Sequence, residues 1–212
     1  MHIFLVRHGH RHYTPADPEL TEIGNKQAEK TGEHLQGQKI TKALSSPMRR
    51  ALQTAEGIMK KLNLPITVSE KLKERMEFDP SIHASFEDFL KEWLKASNQR
   101  DFQPSTGLSS KQAGKQIQDL LEEFLEPQAD HGVLLVTHGE TITDFLRNIA
   151  QDSTLEQIAV EIQDHSLLED LHAKDYLVNH CSITHVEFNN GKWTIHQLND
   201  TSHLGELYTP VV

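Results

Sequence analysis

What this sequence lacks narrows its chemistry before anything it contains. It has a single cysteine, Cys181, so neither an internal disulfide nor a cysteine cage for a metal can form. No apolar stretch reaches the roughly 18–20 residues that a membrane-spanning helix needs. The apolar run at its start is short, and an arginine follows it instead of preceding it, so a secretory leader is not expected and a cytoplasmic location is. Basic residues are scarce: 21 Lys and Arg stand against 31 Asp and Glu, a net charge of −10. That balance excludes nucleic acid as a general partner. It also means that any anion site must be cationic locally, against the field of the whole chain. Low-complexity tracts and solenoid repeats are absent too. The 212 residues suit one α/β domain, 1–212, with a substantial core.

What is present is organised around the first eleven residues. Ile3-Phe4-Leu5-Val6 is a compact apolar run of the kind found in a strand buried on both faces of a parallel sheet. It stops abruptly at Arg7-His8-Gly9-His10-Arg11. Ligands in open α/β sheets bind at the C-terminal ends of strands, so two arginines and two histidines around a glycine mark a candidate site. Further along, Gly132-Val133-Leu134-Leu135-Val136-Thr137 is the clearest strand in the chain, and it too runs into His-Gly, at His138-Gly139.

Between these two units the pattern alternates. Prolines 15 and 18 make residues 12–19 a loop. Thr21 is a fitting N-cap for a helix that Gly37 can end. Ile40 to Ser45 reads as a strand, and Ser46 and Pro47 as the cap and first position of a helix from Met48 to about Leu62. Arg49 and Arg50 then fall in its first turn, where the helix dipole disfavours cations unless an anion sits beside them. Only one of the two need be functional. Leu64 to Val68 is a third strand. Phe86, Phe89, Leu90, Trp93 and Leu94 form an amphipathic helix, and 96–108 reads as an exposed loop. A helix starts at Ser109 or Ser110, with Pro127 beyond its end. Another follows Gly139, and 151–178 reads as mixed, acidic helix. Residues 182–188 and 193–198 are two strands joined by Asn189-Asn190-Gly191-Lys192, a hairpin turn.

Two strand–His–Gly units and several arginines suit phosphoryl transfer. A phosphomonoester is doubly charged, and arginine forks match its oxygens through paired charge-assisted hydrogen bonds. A neutral imidazole can attack phosphorus in line, which divides one hard step into two. Nearby cations keep that imidazole neutral. The leaving alkoxide needs a proton from a carboxylic acid. With arginines and a second histidine supplying positive charge, no metal or other cofactor is required. On this reading His8 is the nucleophile. The alternation of His8, His10 and His12 suggests a metal comb only if the run stays extended, which Gly9 and the following turn formers oppose. The other histidines, among them His34 and His83, read as surface or packing residues.

The same residues resemble a known family. Leu5-Val6-Arg7-His8-Gly9 is similar to the signature of the histidine phosphatase superfamily, the phosphoglycerate-mutase-like proteins. Leu20-Thr21-x-x-Gly24-x-x-Gln27-Ala28, Ser45-Ser46-Pro47-Met48-Arg49-Arg50-Ala51, Leu72-Lys73-Glu74-Arg75 and Val136-Thr137-His138-Gly139 resemble its further blocks, in order. The resemblance implies a three-layer α/β/α sandwich with a mostly parallel central sheet. It implies that Arg7, Arg50 and His138 bind the phosphoryl group and that Glu74 is the proton donor. Glu77 is a rival acid, because Met76-Glu77-Phe78 lacks the glycine that often follows. Mutase-like members usually carry an acidic or small residue after the signature glycine and an asparagine further on, where this chain has His10 and Thr14. Gly9-His10-Arg11 is more similar to a phosphatase branch that includes the suppressor of T-cell-receptor signalling phosphatases, and this implies that Arg11 joins the phosphate pocket. His10 is left without a role.

The expectation is therefore a cofactor-independent, metal-independent phosphoric monoester hydrolase. It acts on a small-molecule phosphomonoester, or on a phosphoprotein, with residues 79–108 as a substrate-shaping insertion. A mutase using the same phosphohistidine, a non-catalytic phospholigand-binding module and a metal-dependent hydrolase are the alternatives. Substrate identity and oligomeric state are left open.

Overall fold

The computed structural model of the chain describes residues 1–14, 17–124, 131–150 and 178–210. Its strands are β1 (His2–Arg7), β2 (Ile40–Ser45), β3 (Ile66–Val68), β4 (Gly132–Thr137), β5 (Ile183–Asn189) and β6 (Lys192–Asp200). Its helices are α1 (Glu22–Leu35), α2 (Arg49–Leu62), α3 (Phe86–Asn98), α4 (Ser110–Glu122) and α5 (Gly139–Ile149). The six strands form one sheet in the order β3-β2-β4-β1-β5-β6. The pairings β2–β3, β2–β4 and β1–β4 are parallel, and β5 and β6 extend the sheet antiparallel. Among the described residues no helix is long and apolar enough to cross a membrane.

The alternation of the strand side chains builds the layers. In β1 and β4, Ile3, Leu5, Val133 and Leu135 face one way and pack with Ile117, Leu120 and Leu121 of α4 and with Ile142 and Phe145 of α5. Phe4, Val6, Leu134 and Val136 face the other way and pack with Leu35 of α1 and with Ala51, Ala55 and Ile58 of α2. Because β1 and β4 are buried on both faces, their sequences are continuous apolar runs. Fully burying one such side chain is worth about 1.5–3 kcal/mol, so the two central strands anchor the domain. The three-layer sandwich with a mostly parallel sheet is the observed fold.

Several local expectations are corrected. Helix α2 begins at Arg49, not Met48, and Ser46 does not cap it: its N-cap, Met48, makes no side-chain cap. The Arg49 amide instead donates to Asp17 Oδ2 at 2.8 Å. A carboxylate from a distant loop thus satisfies the helix end and supplies the anion that the dipole prefers. Helix α1 ends at Leu35 with Gln36 right-handed, so Gly37 is not its terminator. Helix α3 continues to Asn98, and Ala96 is fully buried, so 96–108 is not simply an exposed loop. The hairpin turn holds: Asn190 and Gly191 both have positive φ, as a type I′ turn requires. The helix expected over 151–178 lies, but for Val178, outside the described residues.

Candidate active site

The site forms where β1, β2 and β4 end side by side. Parallel pairing aligns Arg7 with Thr137 and Ser45 with Val136. The His8 amide donates to Thr137 O at 2.9 Å, and the Ser46 amide to Val136 O at 2.9 Å. Three chain exits are thereby held at one level, carrying His8, Ser46 and His138.

Glycine lets the His8 loop sit there. A Cβ on Gly9 would lie 2.7 Å from Gly24 O, and one on Gly24 would lie 2.0 Å from His10 O. Residues 9–10 therefore rest directly on the first turn of α1. This close approach, and not a left-handed turn, is what Gly9 provides, since its φ is not positive. The loop is tied on either side: Gly9 N donates to Thr54 Oγ1 at 2.9 Å, and His10 N to buried Gln27 Oε1 at 2.8 Å.

His8 is 2% exposed. Its Nδ1 lies 2.8 Å from Gly9 O. A carbonyl can only accept, so Nδ1 carries the hydrogen and Nε2 presents a lone pair. Burial, then the charges of Arg7 and Arg50, holds its pKa well below the usual value, so the ring is neutral at physiological pH. His138 is fully buried, its ring centre 5.3 Å from that of His8, and its Nε2 is 2.8 Å from Ser46 Oγ. Burial, then Arg50 and Arg7, also keeps His138 neutral.

Arg7 and Arg50 are the buried cations of the site. The Arg7 guanidinium donates to Val178 O and packs against Gly139. Burial lowers its pKa to about 10. Arg50 is held by Asp17 at 3.5 Å, and burial lowers its pKa too. The Nε atoms of both arginines, and His138 Nδ1, are buried with no hydrogen-bond partner among the described residues. Arg11 is half-buried, donates to His12 O at 3.1 Å and lies over the Tyr13 ring. Its charge reaches Arg7, Arg50 and His138. Arg49, by contrast, points away to an exposed pair with Glu19 at 3.0 Å.

Glu74 approaches from the segment after β3. Thr137 Oγ1 donates to Leu72 O at 2.6 Å and Thr141 Oγ1 to Lys73 O at 2.9 Å, which fixes that segment against β4 and α5. Glu74 Oε1 is 3.2 Å from Thr141 Oγ1, and its charge acts on both Arg7 and Arg50. The rival Glu77 is an exposed residue. Desolvation around its carboxyl raises its pKa, Arg50 opposes the rise, and Asp17 and Glu74 add to it. The structure thus brings His8, His138, Arg7 and Arg50 together, with the charges of Arg11 and Glu74 acting on both arginines.

Sequence reasoning missed His180. It is buried, with its ring centre 5.7 Å from that of His8 and 5.4 Å from that of His10. Burial, then Arg7, lowers its pKa to about 2. Residues 178–181 wrap past the end of β1, where Cys181 N donates to Arg7 O at 3.0 Å. Gln27 Nε2, at 3.0 Å from Thr209 Oγ1, connects the loop of His10 to the residue that contacts His180 Nδ1. The cue available was a polar Asn179-His180-Cys181-Ser182 run ahead of a strand, which is too common to single out. Among the described residues, no group of three His, Cys, Asp or Glu could hold a metal ion, and His10 Nδ1 is engaged with Thr21 Oγ1 at 2.9 Å.

Comparison with known proteins gives this geometry a lineage. The chain is 27% identical to the probable phosphoglycerate mutase GpmB of Yersinia pestis, over 96% of this chain and 95% of that protein. It superposes on mycobacterial glucosyl-3-phosphoglycerate phosphatase in complex with inorganic phosphate, with a TM-score of 0.72 and 20% identity over 95% of this chain and 98% of that one. It also superposes on phosphoserine phosphatase from Entamoeba histolytica in complex with 3-phosphoglyceric acid, with a TM-score of 0.68 and 23% identity over 96% and 98%. The model of the histidine phosphatase superfamily (branch 1) matches residues 3–169. The chain therefore belongs to the histidine phosphatase superfamily.

Proposed function

We propose that the protein is a cofactor-independent phosphatase that hydrolyses a small phosphomonoester through a phosphohistidine on His8. One observation carries this reading: the Gly9 carbonyl holds the His8 proton on Nδ1, so an unprotonated Nε2 is offered in a buried ring ringed by arginines. Arg7, Arg11 and Arg50 neutralise the phosphoryl oxygens, with His138 beside them, and stabilise the charge of the transition state. Nε2 attacks phosphorus as the ester oxygen departs. Glu74, as the acid, delivers a proton to that oxygen, and alcohol leaves. The Glu74 carboxylate then takes a proton from water, which attacks the phosphohistidine and releases inorganic phosphate. The products are one alcohol and one phosphate for each ester and water consumed.

The two buried guanidinium groups of Arg7 and Arg50 support an anionic ligand, because buried cations are costly and Asp17, at 3.5 Å from Arg50, is the only carboxylate paired with either among the described residues. The named ligands of the structural relatives, inorganic phosphate and 3-phosphoglyceric acid, support a small phosphorylated metabolite as substrate. A phosphoglycerate-type mutase is the second reading, favoured by the name of the curated relative. It would keep the phosphohistidine and return the phosphoryl group to the substrate. An assay in excess EDTA separates the two. Release of inorganic phosphate from p-nitrophenyl phosphate without isomerisation of 3-phosphoglycerate is expected. Isomerisation with negligible phosphate release would favour the mutase, and loss of activity to EDTA would contradict a metal-independent site.

A further inference from the structure

The residue after Glu74 occupies a site of its own. Among the described residues, Arg75 is the bulkiest fully buried side chain. Its Nη1 donates to both Asp144 oxygens, at 3.0 and 2.9 Å. Its Nη2 donates to Ser97 Oγ at 2.7 Å and pairs with Glu140 Oε2 at 3.2 Å. Asp144 is braced in turn by Ser110 Oγ. The backbone of Arg75 is held as firmly: its carbonyl accepts from Leu108 N at 3.1 Å, and Gly107, at φ 77°, passes so close that a Cβ there would lie 2.0 Å from that carbonyl.

This cluster encloses the backbone on which Glu74 stands. Arg75 N donates to Glu74 Oε1 at 3.1 Å, and Thr141, between Glu140 and Asp144 on α5, reaches the same oxygen. The Arg75 clamp and the Glu74 contact therefore come from one helix, which begins directly after His138. We propose that Arg75, clamped by Asp144 and Glu140 of α5 and by Ser97 of α3, is the positioning residue that sets the Glu74 carboxyl at the leaving-group oxygen. Proton donation requires hydrogen-bond reach, about 2.6–3.2 Å, and a misplacement near 1 Å can cost about 100-fold. A fork held by Asp144, Ser97 and Glu140 supplies that precision. Neutralisation is matched as well: burial raises the pKa of Asp144 to about 6 and of Glu140 to about 8. Burial pushes Glu140 further up than Asp144, so Glu140 is the partner that keeps its proton at neutral pH. Because Ser97 belongs to α3, the clamp also joins the acid to the segment expected to shape substrate choice.

The inference rests on Glu74 being the acid, and the test separates the two claims. Wild type, Glu74→Gln, Asp144→Asn and the double variant are compared on an alkyl phosphate and on p-nitrophenyl phosphate, whose leaving group hardly needs a proton. Asp144→Asn is expected to lower kcat on the alkyl ester about 10- to 100-fold while p-nitrophenyl phosphate loses less than about threefold and KM holds. In the Glu74→Gln background the same change should cost nothing more, because a misplaced acid and an absent acid are equivalent. Equal losses on both esters, or additive losses in the double variant, overturn the positioning role while Glu74 stands. If Glu74→Gln itself shows no preference between the esters, the acid assignment falls and the clamp's role falls with it. Should Asp144→Asn lose its near-UV circular dichroism, Ser97→Ala and Arg75→Lys are judged by the same criteria.

Discussion

The protein buries arginine in two places, and the two places treat it differently. At the strand ends, Arg7 and Arg50 sit among neutral histidines and have lowered pKa values; Arg7 donates to the Val178 carbonyl, and Arg50 has only Asp17, at 3.5 Å, among the described residues. Around α5, Arg75 is engaged at both Nη atoms by Asp144, Ser97 and Glu140. The second arrangement is compensated at its Nη atoms and holds a shape, although Arg75 Nε, like that of Arg7 and Arg50, has no partner among the described residues. The first is under-compensated, a state that costs free energy until an anion arrives. The contrast lies in the carboxylates at the Nη atoms and in the lowered pKa values, a distinction that composition and motif spacing do not make.

The largest expected effect lies in the under-compensated site. His8→Ala should reduce turnover by about 10⁴-fold or more while near-UV circular dichroism is preserved, because His8 stands at a strand end and not within the sheet. The compensated cluster should fail in the opposite sense. Asp144→Ala leaves a buried cation without its main partner, which costs about 3–5 kcal/mol of stability, readable as a fall in the denaturation midpoint. Arg50→Ala should lower kcat/KM by about 10²–10³-fold, the typical loss of one donor to a developing oxyanion. It should also abolish the rise in Tm that inorganic phosphate gives to wild type. If Arg50→Ala instead destabilised the protein as much as Asp144→Ala, the two sites would not differ in kind.

The two regions should also differ in their response to pH. His8 and His138 have native pKa values well below 6.5, and His180 about 2. As pH falls below 6.5 the unfolded chain takes up protons at these rings that the native state refuses, so stability falls. Each ring contributes about 1.4 kcal/mol per pH unit in that window. Glu140 acts in the other direction. Its native pKa of about 8 stands above its unfolded value of 4.5, so the native state retains a proton that the unfolded chain has lost, and stability falls as pH rises between the two. Glu140→Gln should therefore gain in Tm relative to wild type at pH 9 compared with pH 5. A difference independent of pH would show that Glu140 is not held protonated. The smallest effect belongs to Arg49→Ala, next to Arg50 in sequence. Its exposed pair with Glu19 is worth about 0–1 kcal/mol, and kcat/KM should hold. A loss matching that of Arg50→Ala would move the phosphate site outward.

How legible these regions were follows from the same contrast. The strands β1 and β4 and their His-Gly ends stood out because burial on both faces forces an uninterrupted apolar run that ends where the ligand begins. Arg50 was separated from Arg49 by resemblance alone; the structure separates them by burial, 8% against 57% side-chain exposure. The clamp was invisible, because nothing in the spacing of Arg75, Glu140 and Asp144 ties them together until folding brings α3 and α5 around Arg75. Ser46 misled for a related reason. Ser-Pro before a helix is a good cap by local rules, but the Ser46 hydroxyl is shared between His138 and the Met48 amide just ahead of the helix, and Asp17 takes the Arg49 amide from across the loop. Local propensity yields wherever a side chain is drawn into a long-range polar network.

The proposed reaction stands on the phosphorylation of His8 Nε2. Rapid quench of the enzyme with a radiolabelled phosphomonoester tests it most directly. Wild type should acquire close to one label per chain, stable in alkali and lost in acid, and His8→Ala none. No acid-labile label in wild type at any quench time, together with substantial turnover by His8→Ala, would contradict the account.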